Sequence, residues 1–161
     1  MNTKRLGFIA VLIALFAGVA LAKSTPYSTP KFSATFNGPV SFQIDENNAK
    51  TSVNNEWHSV ADGVFQELNI REVASGIDVD QASLDYYTNQ SLGSSTAIER
   101  KNGVYQGHIW SYVSYNKDGE EWRMWYIIVD ANTVFIMTEL TEIGKDGSAD
   151  WATFANSLVI K

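Results

Sequence analysis

The sequence contains no cysteine, and this absence excludes disulfide bonds and thiolate metal centres. It also excludes a lipid anchor attached to a cysteine at the start of an exported chain. The 161 residues are 45% hydrophobic and 19% charged, which is typical of one globular domain. Burial of apolar side chains must therefore hold the domain together without covalent cross-links.

Positive charge is also scarce, since 12 lysines and arginines face 18 aspartates and glutamates and give a net charge of −6. Nucleic-acid phosphates and anionic membrane surfaces repel an acidic protein. The composition therefore predicts no nucleic-acid partner.

Residues 1–22 have the pattern of a signal peptide. A basic start precedes an apolar run, which ends in a small-x-small cleavage signal at residues 20–22. The alternative is an uncleaved membrane anchor, but the run is short for a span of about 20 residues. We expect cleavage after Ala22, export to a bacterial periplasm or medium, and no stable membrane insertion after cleavage.

The rest of the chain divides into a short lead and one domain. Residues 23–30 contain two prolines and predict an extended lead, and residues 31–161 predict a single α+β domain. Apolar residues at helical spacing predict one helix near 79–92, capped by Asp78, and another near 149–158.

Turn residues separate the predicted strands. Asn37-Gly38-Pro39, Asp62-Gly63 and Asn102-Gly103 each predict a hairpin between flanking apolar segments. A four-residue loop over 116–119 and a two-residue turn at Ala131-Asn132 complete a predicted four-stranded meander.

The meander strands do not alternate cleanly between apolar and polar residues. The predicted turns place Trp110 opposite Trp125 and Ile127 opposite Ile136, which leaves both faces mostly apolar. An antiparallel sheet with one wet face would alternate. We therefore predict an antiparallel sheet flanked by helices on both faces, an α/β/α sandwich. A single covered face and a closed barrel are the alternatives.

The order of these elements resembles that of the PsbP-like superfamily, which includes the DcrB-like bacterial envelope proteins. The matching segments are a hairpin "FSATFNGPVSFQI", a helix "DQASLDYYTNQSLG" that ends at a glycine, a meander from "AIERKNG" to "FIMTEL", and an aromatic helix followed by "NSLVIK". The resemblance covers residues 31–161 as a pattern and includes no diagnostic motif. It implies an α/β/α sandwich and a non-enzymatic role in binding or assembly, and it transfers no binding residue.

Motifs that carry catalysis or bind cofactors are missing from the sequence. No serine lies in a nucleophile-elbow pattern, and no glycine-rich phosphate loop is present. The two histidines, His58 and His108, have no carboxylate at metal-ligand spacing, which favours a structural role for both. We therefore predict no catalytic residue, no metal, no cofactor and no enzymatic activity.

Aromatic residues are the one enriched feature, with three of the five tryptophans between residues 110 and 125. Trp110, Tyr112, Arg123 and Trp125 are the candidate residues for a platform that binds a ligand or partner by stacking and cation–π contacts. The other interpretation, which we favour, is that these side chains pack in the core.

Three functions are compatible with the sequence. It favours a secreted, non-catalytic envelope protein that acts by binding or assembling with another envelope protein. A small-ligand carrier with an aromatic-lined site is the first alternative. A hydrolase whose site is assembled only in the fold is the second.

Overall fold

The computed structural model describes residues 24–46 and 51–161. The predicted signal peptide lies outside these residues, so its cleavage stays a prediction. In the part of the chain that is described, no helix has the length and apolar character needed to cross a membrane.

Ten strands and two helices form within the described ranges. The strands are β1 (Thr25–Ser28), β2 (Phe32–Phe36), β3 (Val40–Glu46), β4 (Ser52–Ala61), β5 (Val64–Val73), β6 (Ala97–Tyr105), β7 (His108–Lys117), β8 (Glu120–Asp130), β9 (Thr133–Glu142) and β10 (Val159–Ile160). The helices are α1 (Gln81–Leu92) and α2 (Ser148–Ser157).

The strands build two sheets, and every strand pair is antiparallel. The large sheet has the order β3-β4-β5-β9-β8-β7-β6, and the small sheet has the order β1-β2-β10. Strands make up 58% of the described residues and helices 16%. The predicted α+β class with an α/β/α sandwich is therefore wrong, because the fold is mainly β and its second layer contains a sheet that we did not predict.

The two sides of the large sheet have different covers. On the first side, which we call face A, Leu84 of α1 packs against Tyr126, Ile128, Val134 and Ile136. On the other side, face B, the small sheet and α2 share the cover. The face B cluster is Phe32, Ala34, Phe36, Trp57, Leu68, Ile70, Trp125, Ile127, Phe135, Met137, Phe154 and Leu158.

The first predicted hairpin does not form, because β2 and β3 belong to different sheets. Phe32 and Phe36 point into the core on the inward side of β2. At the junction, the side-chain Nδ2 of Asn37 donates to the carbonyls of Ala61 and Val64, each at 3.2 Å. Asn37 thus ties the connection to the β4–β5 turn instead of closing a hairpin of its own.

Three hairpins of the large sheet share one kind of turn. Each has two residues, with positive φ at both positions, as in Asp62-Gly63, Gln106-Gly107 and Asp118-Gly119. Such turns match the twist of the flanking strands. The Asp62-Gly63 turn was predicted correctly, whereas Asn102-Gly103 lies inside β6. Gly103 faces Trp110 there, and a Cβ would come within 3.0 Å of the indole.

A β-bulge in β8 sets the register of β9. Asp130 pairs with Thr133 as predicted, but Ile128 pairs with Val134, so Val129 is an extra residue in the ladder. Because side chains alternate between faces, one extra residue moves the rest of β9 to the face opposite the predicted one.

The N-cap of α1 offers a direct test of the local structure. Asp80, rather than the predicted Asp78, accepts a hydrogen bond from the Ser83 backbone nitrogen at 2.8 Å. We expect Asp80→Ala to lower the free energy of unfolding by about 1 kcal/mol. Asp78→Ala, the matched control, should change it by less than about 0.5 kcal/mol. Urea melts measure both values, and equal losses would contradict this assignment.

Candidate functional site

The four residues of the predicted aromatic platform lie on β7 and β8, but their pairing differs from the prediction. Trp110 pairs with Ile127, and Tyr112 pairs with Trp125. The predicted pairing is wrong by two positions because Asp118-Gly119 reverses the chain in two residues rather than four. Trp110 and Trp125 become diagonal neighbours, with ring centroids 5.6 Å apart in an edge-to-face arrangement.

These aromatic side chains pack against other elements of the fold. Trp125 is only 8% exposed, and its ring centroid lies 5.0 Å from that of Tyr105. The ring of Tyr112 lies 5.7 Å from Trp151 of α2. This environment favours core packing, and the binding role of the platform stays a prediction.

Arg123, the fourth residue of the platform, belongs to a buried charge network. Its guanidinium lies 3.0 Å from the Glu121 carboxylate and 3.1 Å from that of Glu139. Gln66 Nε2 donates to the second Glu139 oxygen at 2.9 Å. Gly147, at the start of α2, lies so close that a Cβ there would clash with the network. The Arg123 guanidinium is therefore paired with two carboxylates beneath α2.

Glu139 has no exposed surface, and burial raises its pKa. The hydrogen bond from Gln66 and the charge of Arg123 lower it again, but burial is the larger effect and the pKa reaches about 7. Two hydrogen-bond donors, of which Arg123 also carries a positive charge, thus offset only part of the cost of burying this carboxylate.

A second buried charged cluster lies on the β4–β5 hairpin. Glu56 and His58 are two residues apart on β4 and so point to the same side of the sheet, and Glu67 pairs directly with His58. The imidazole Nε2 lies 3.1 Å from Glu67 Oε2 and 3.5 Å from Glu56 Oε2. Neither contact has hydrogen-bond geometry, and Nε2 is buried without a hydrogen-bond partner.

The surroundings of His58 favour positive charge. Burial lowers the pKa of the imidazole, but the contacts with Glu56 and Glu67 together outweigh burial and raise the pKa from 6.5 to about 9. One ligand atom from each of the three residues lies within 4.8 Å of the other two, which is a spacing that a metal ion can bridge. The cluster can therefore hold either a proton or a cation.

Sequence reasoning missed this cluster although the signal was present. The correctly predicted Asp62-Gly63 turn, counted back along both strands, pairs His58 with Glu67. The alternation rule then places Glu56 on the same side as His58. Spacing along one segment does not reveal this cluster, because two strands contribute its ligand atoms. His108, the other histidine, begins β7 and is not part of the cluster.

The two edges of the large sheet differ in their protection. Edge strand β3 carries Phe42 and Ile44, which are 50% and 59% exposed, and residues 40–44 have no charge. Edge strand β6 also exposes apolar side chains, but residues 99–101 are all charged and a bulge follows Ala97. Charges and bulges are common devices against edge-to-edge pairing. Only β6 combines both among the described strands at the edges.

An open groove of about 310 Å³ lies where β4, β5 and β9 meet the loops. Ser52, Glu72 and Thr133 are among its lining residues, and none of the four platform residues lines it. Its open shape and its lack of aromatic lining residues do not resemble the closed aromatic pocket that a small-ligand carrier would use.

Comparisons with known proteins give structural neighbours without a known function. No family model matches the chain, and no curated protein matches it. A Pseudomonas aeruginosa protein of unknown function, PA94, is 17% identical with a TM-score of 0.49, over 87% of this chain and 99% of that one. A Bacteroides thetaiotaomicron structure is 9% identical with a TM-score of 0.43, over 88% of this chain and 49% of that one.

At these identities and TM-scores, neither neighbour carries an argument about function. The chain spans about half the length of the Bacteroides protein. None of these findings names a PsbP-like or DcrB-like protein, so that resemblance stays a prediction.

Truncation of Trp125 tests whether the aromatic platform is core or surface. We expect Trp125→Ala to lower the free energy of unfolding by about 3–5 kcal/mol, because the side chain is buried among other rings. The control Tyr86→Ala removes an exposed ring and should cost less than about 0.5 kcal/mol. Urea melts give both values. A small loss of stability in Trp125→Ala would contradict core packing and support an exposed binding platform.

The raised pKa of Glu139 predicts a specific pH dependence. The folded state holds the proton more tightly than the unfolded state, so the stabilisation is complete below pH 4.5 and is lost as pH rises through about 7. Between these values the wild type should lose up to about 3 kcal/mol relative to Glu139→Gln, which cannot ionise. The control Glu142→Gln changes an exposed carboxylate on the same strand and should follow the wild type. Parallel stability curves for wild type and Glu139→Gln would contradict the assignment.

Proposed function

We propose that the protein is an exported, non-catalytic envelope protein that binds another protein through the exposed edge strand β3. The single observation that carries this proposal is the uncharged, apolar row on that edge. Phe42 and Ile44 are half or more exposed, whereas Trp57, Trp125 and Phe135 on the same face of the large sheet are buried.

The position of the row explains why it is available. Phe42 and Ile44 are two residues apart on β3 and therefore point to the same side of the sheet. The ring of Phe42 lies 4.9 Å from that of Trp57, which belongs to the face B core. The small sheet covers Trp57 through Phe32 but leaves Phe42 half exposed. Phe42 and Ile44 thus continue the apolar surface of face B beyond the part that the small sheet covers.

The outer side of edge strand β3 favours a partner segment in extended conformation. Among the described residues, β4 is the one strand that pairs with β3, so the other side of β3 can receive an added strand. Strand addition draws affinity from backbone hydrogen bonds and specificity from alternate side chains. A segment with apolar residues at alternate positions would cover Phe42 and Ile44. A basic residue beyond them would complement Asp45 and Glu46 and the net charge of −6.

A charge placed on the row tests this proposal. In Ile44→Lys the side chain can remain in solvent, so the fold should persist while strand addition is blocked. The matched control is Val104→Lys, which places the same charge at a 69% exposed position on the opposite edge. We expect partner binding to fall at least tenfold in Ile44→Lys, equivalent to about 1.4 kcal/mol, and to be unchanged in Val104→Lys.

The measurement has two parts. A photo-crosslinking residue at position 42 should capture the partner in the native envelope fraction, and the same residue at position 86 should not. Sedimentation of the purified protein then distinguishes a foreign partner from a second copy. Partner capture that is equal in wild type and Ile44→Lys would overturn the proposal, and a dimer that Ile44→Lys dissociates would replace the foreign partner with a second copy.

A further inference from the structure

The Glu56–His58–Glu67 cluster is difficult to explain as packing alone. Glu56 and His58 are 3% and 8% exposed, and burying charged groups is unfavourable unless each finds a partner. The imidazole Nε2 is directed between two carboxylate oxygens, yet it has no hydrogen bond to either. The buried Nε2 therefore lacks a hydrogen-bond partner although two carboxylates lie beside it.

We propose that Glu56, His58 and Glu67 bind a first-row divalent cation, with Zn²⁺ as the best fit. The inference is independent of the β3 edge and of the partner proposed above. It also replaces the expectation, drawn from the sequence, that the chain has no metal site.

The separations between the ligand atoms suit Zn²⁺. Imidazole and carboxylate ligands bind zinc at roughly 2.0–2.1 Å, so two ligands of a tetrahedral ion lie about 3.3 Å apart. His58 Nε2 lies 3.1 Å from one carboxylate oxygen and 3.5 Å from the other, which brackets this value. The two carboxylate oxygens lie within 4.8 Å of each other, so an ion bound by all three atoms requires them to close to the tetrahedral spacing.

Neighbouring amides hold one ligand in place. Gln43 Nε2 donates to Glu56 Oε2 at 2.7 Å, and Asn69 Nδ2 donates to Glu56 Oε1 at 3.2 Å. Hydrogen bonds of this kind orient carboxylates in metal sites and raise metal affinity. Asn69 Oδ1 is buried without a hydrogen-bond partner, and it is a suitable acceptor for a water in the fourth position of the ion.

The donor set and the charge select among cations. Two carboxylates and one neutral imidazole supply the charge that a divalent ion neutralises. Ca²⁺ and Mg²⁺ prefer all-oxygen ligands, whereas imidazole suits zinc and its neighbours in the first row. The partly exposed Glu67 carboxylate provides the route by which an ion can enter from solvent.

Zinc titration of chelator-treated, tag-free protein tests the proposal. At about pH 8, where the ligands lose protons to the metal, we expect one Zn²⁺ per chain, with a Kd of about 1 µM or tighter. Competition with a chromophoric chelator measures the affinity. Zn²⁺ should also raise the urea midpoint of the wild type, because the ion binds the folded state. Ca²⁺ and Mg²⁺ should do neither.

Variants locate the site. Glu67→Gln and His58→Gln should each weaken Zn²⁺ binding at least about tenfold, a loss typical of removed ligands or their supports. His108→Gln, which changes the other histidine, should bind like the wild type. Glu67 is partly exposed, so Glu67→Gln should fold. If His58→Gln does not fold, Glu67→Gln decides the result. Three results would each overturn the proposal. They are a failure to bind one Zn²⁺ per chain, equal Zn²⁺ affinity in Glu67→Gln and wild type, and Ca²⁺ binding as tight as Zn²⁺ binding.

Discussion

Both faces of one seven-stranded sheet must be kept from water, and the rest of the structure depends on this requirement. No disulfide assists, so every layer must be held by its own burial of apolar surface. Helix α1 covers part of face A by inserting Leu84, while α2 and the small sheet divide face B between them. The uncovered remainder is informative, because the proposed partner-binding edge, strand β3, lies beyond these covers.

The two buried charge networks show different solutions to the same electrostatic problem. On face B, Arg123 supplies a permanent cation between Glu121 and Glu139, and Gln66 satisfies the remaining oxygen. At the β4–β5 hairpin the only cation that the cluster itself contains is an imidazole, which can lose its charge. The guanidinium keeps its charge over the whole ordinary pH range, so in the first network the titration that matters is that of Glu139. The second can exchange a proton for a metal ion.

Local turn chemistry could be predicted from the sequence, whereas register and layer assignment could not. Asp62-Gly63 was identified because aspartate and glycine both tolerate positive φ. The same chemistry at Asp118-Gly119 was hidden within a longer polar segment, and this shifted the predicted Trp110 pairing by two positions.

The bulge at Val129 has no sequence signature, yet it reversed the faces of β9 relative to the prediction. Asn37-Gly38-Pro39 has the composition of a hairpin turn. Its hydrogen bonds to the β4–β5 turn, which decide its role, join residues far apart in the sequence and could not be predicted from local composition. The Glu56–His58–Glu67 cluster was within reach, since it required only a correct turn and the alternation rule.

The small sheet has a consequence for the order of folding. Its central strand β2 pairs with β1 from the beginning of the domain and with β10 from the end, and Lys161 Nζ donates to Ser28 Oγ across 133 residues of sequence. Face B therefore cannot be sealed until β10 has been synthesised, since the small sheet that covers it contains this strand. The aromatic-rich side of the sheet stays open until these contacts form, and their large sequence separation makes closure a late event in folding. A chaperone that shields aromatic surface has its natural opportunity in that interval.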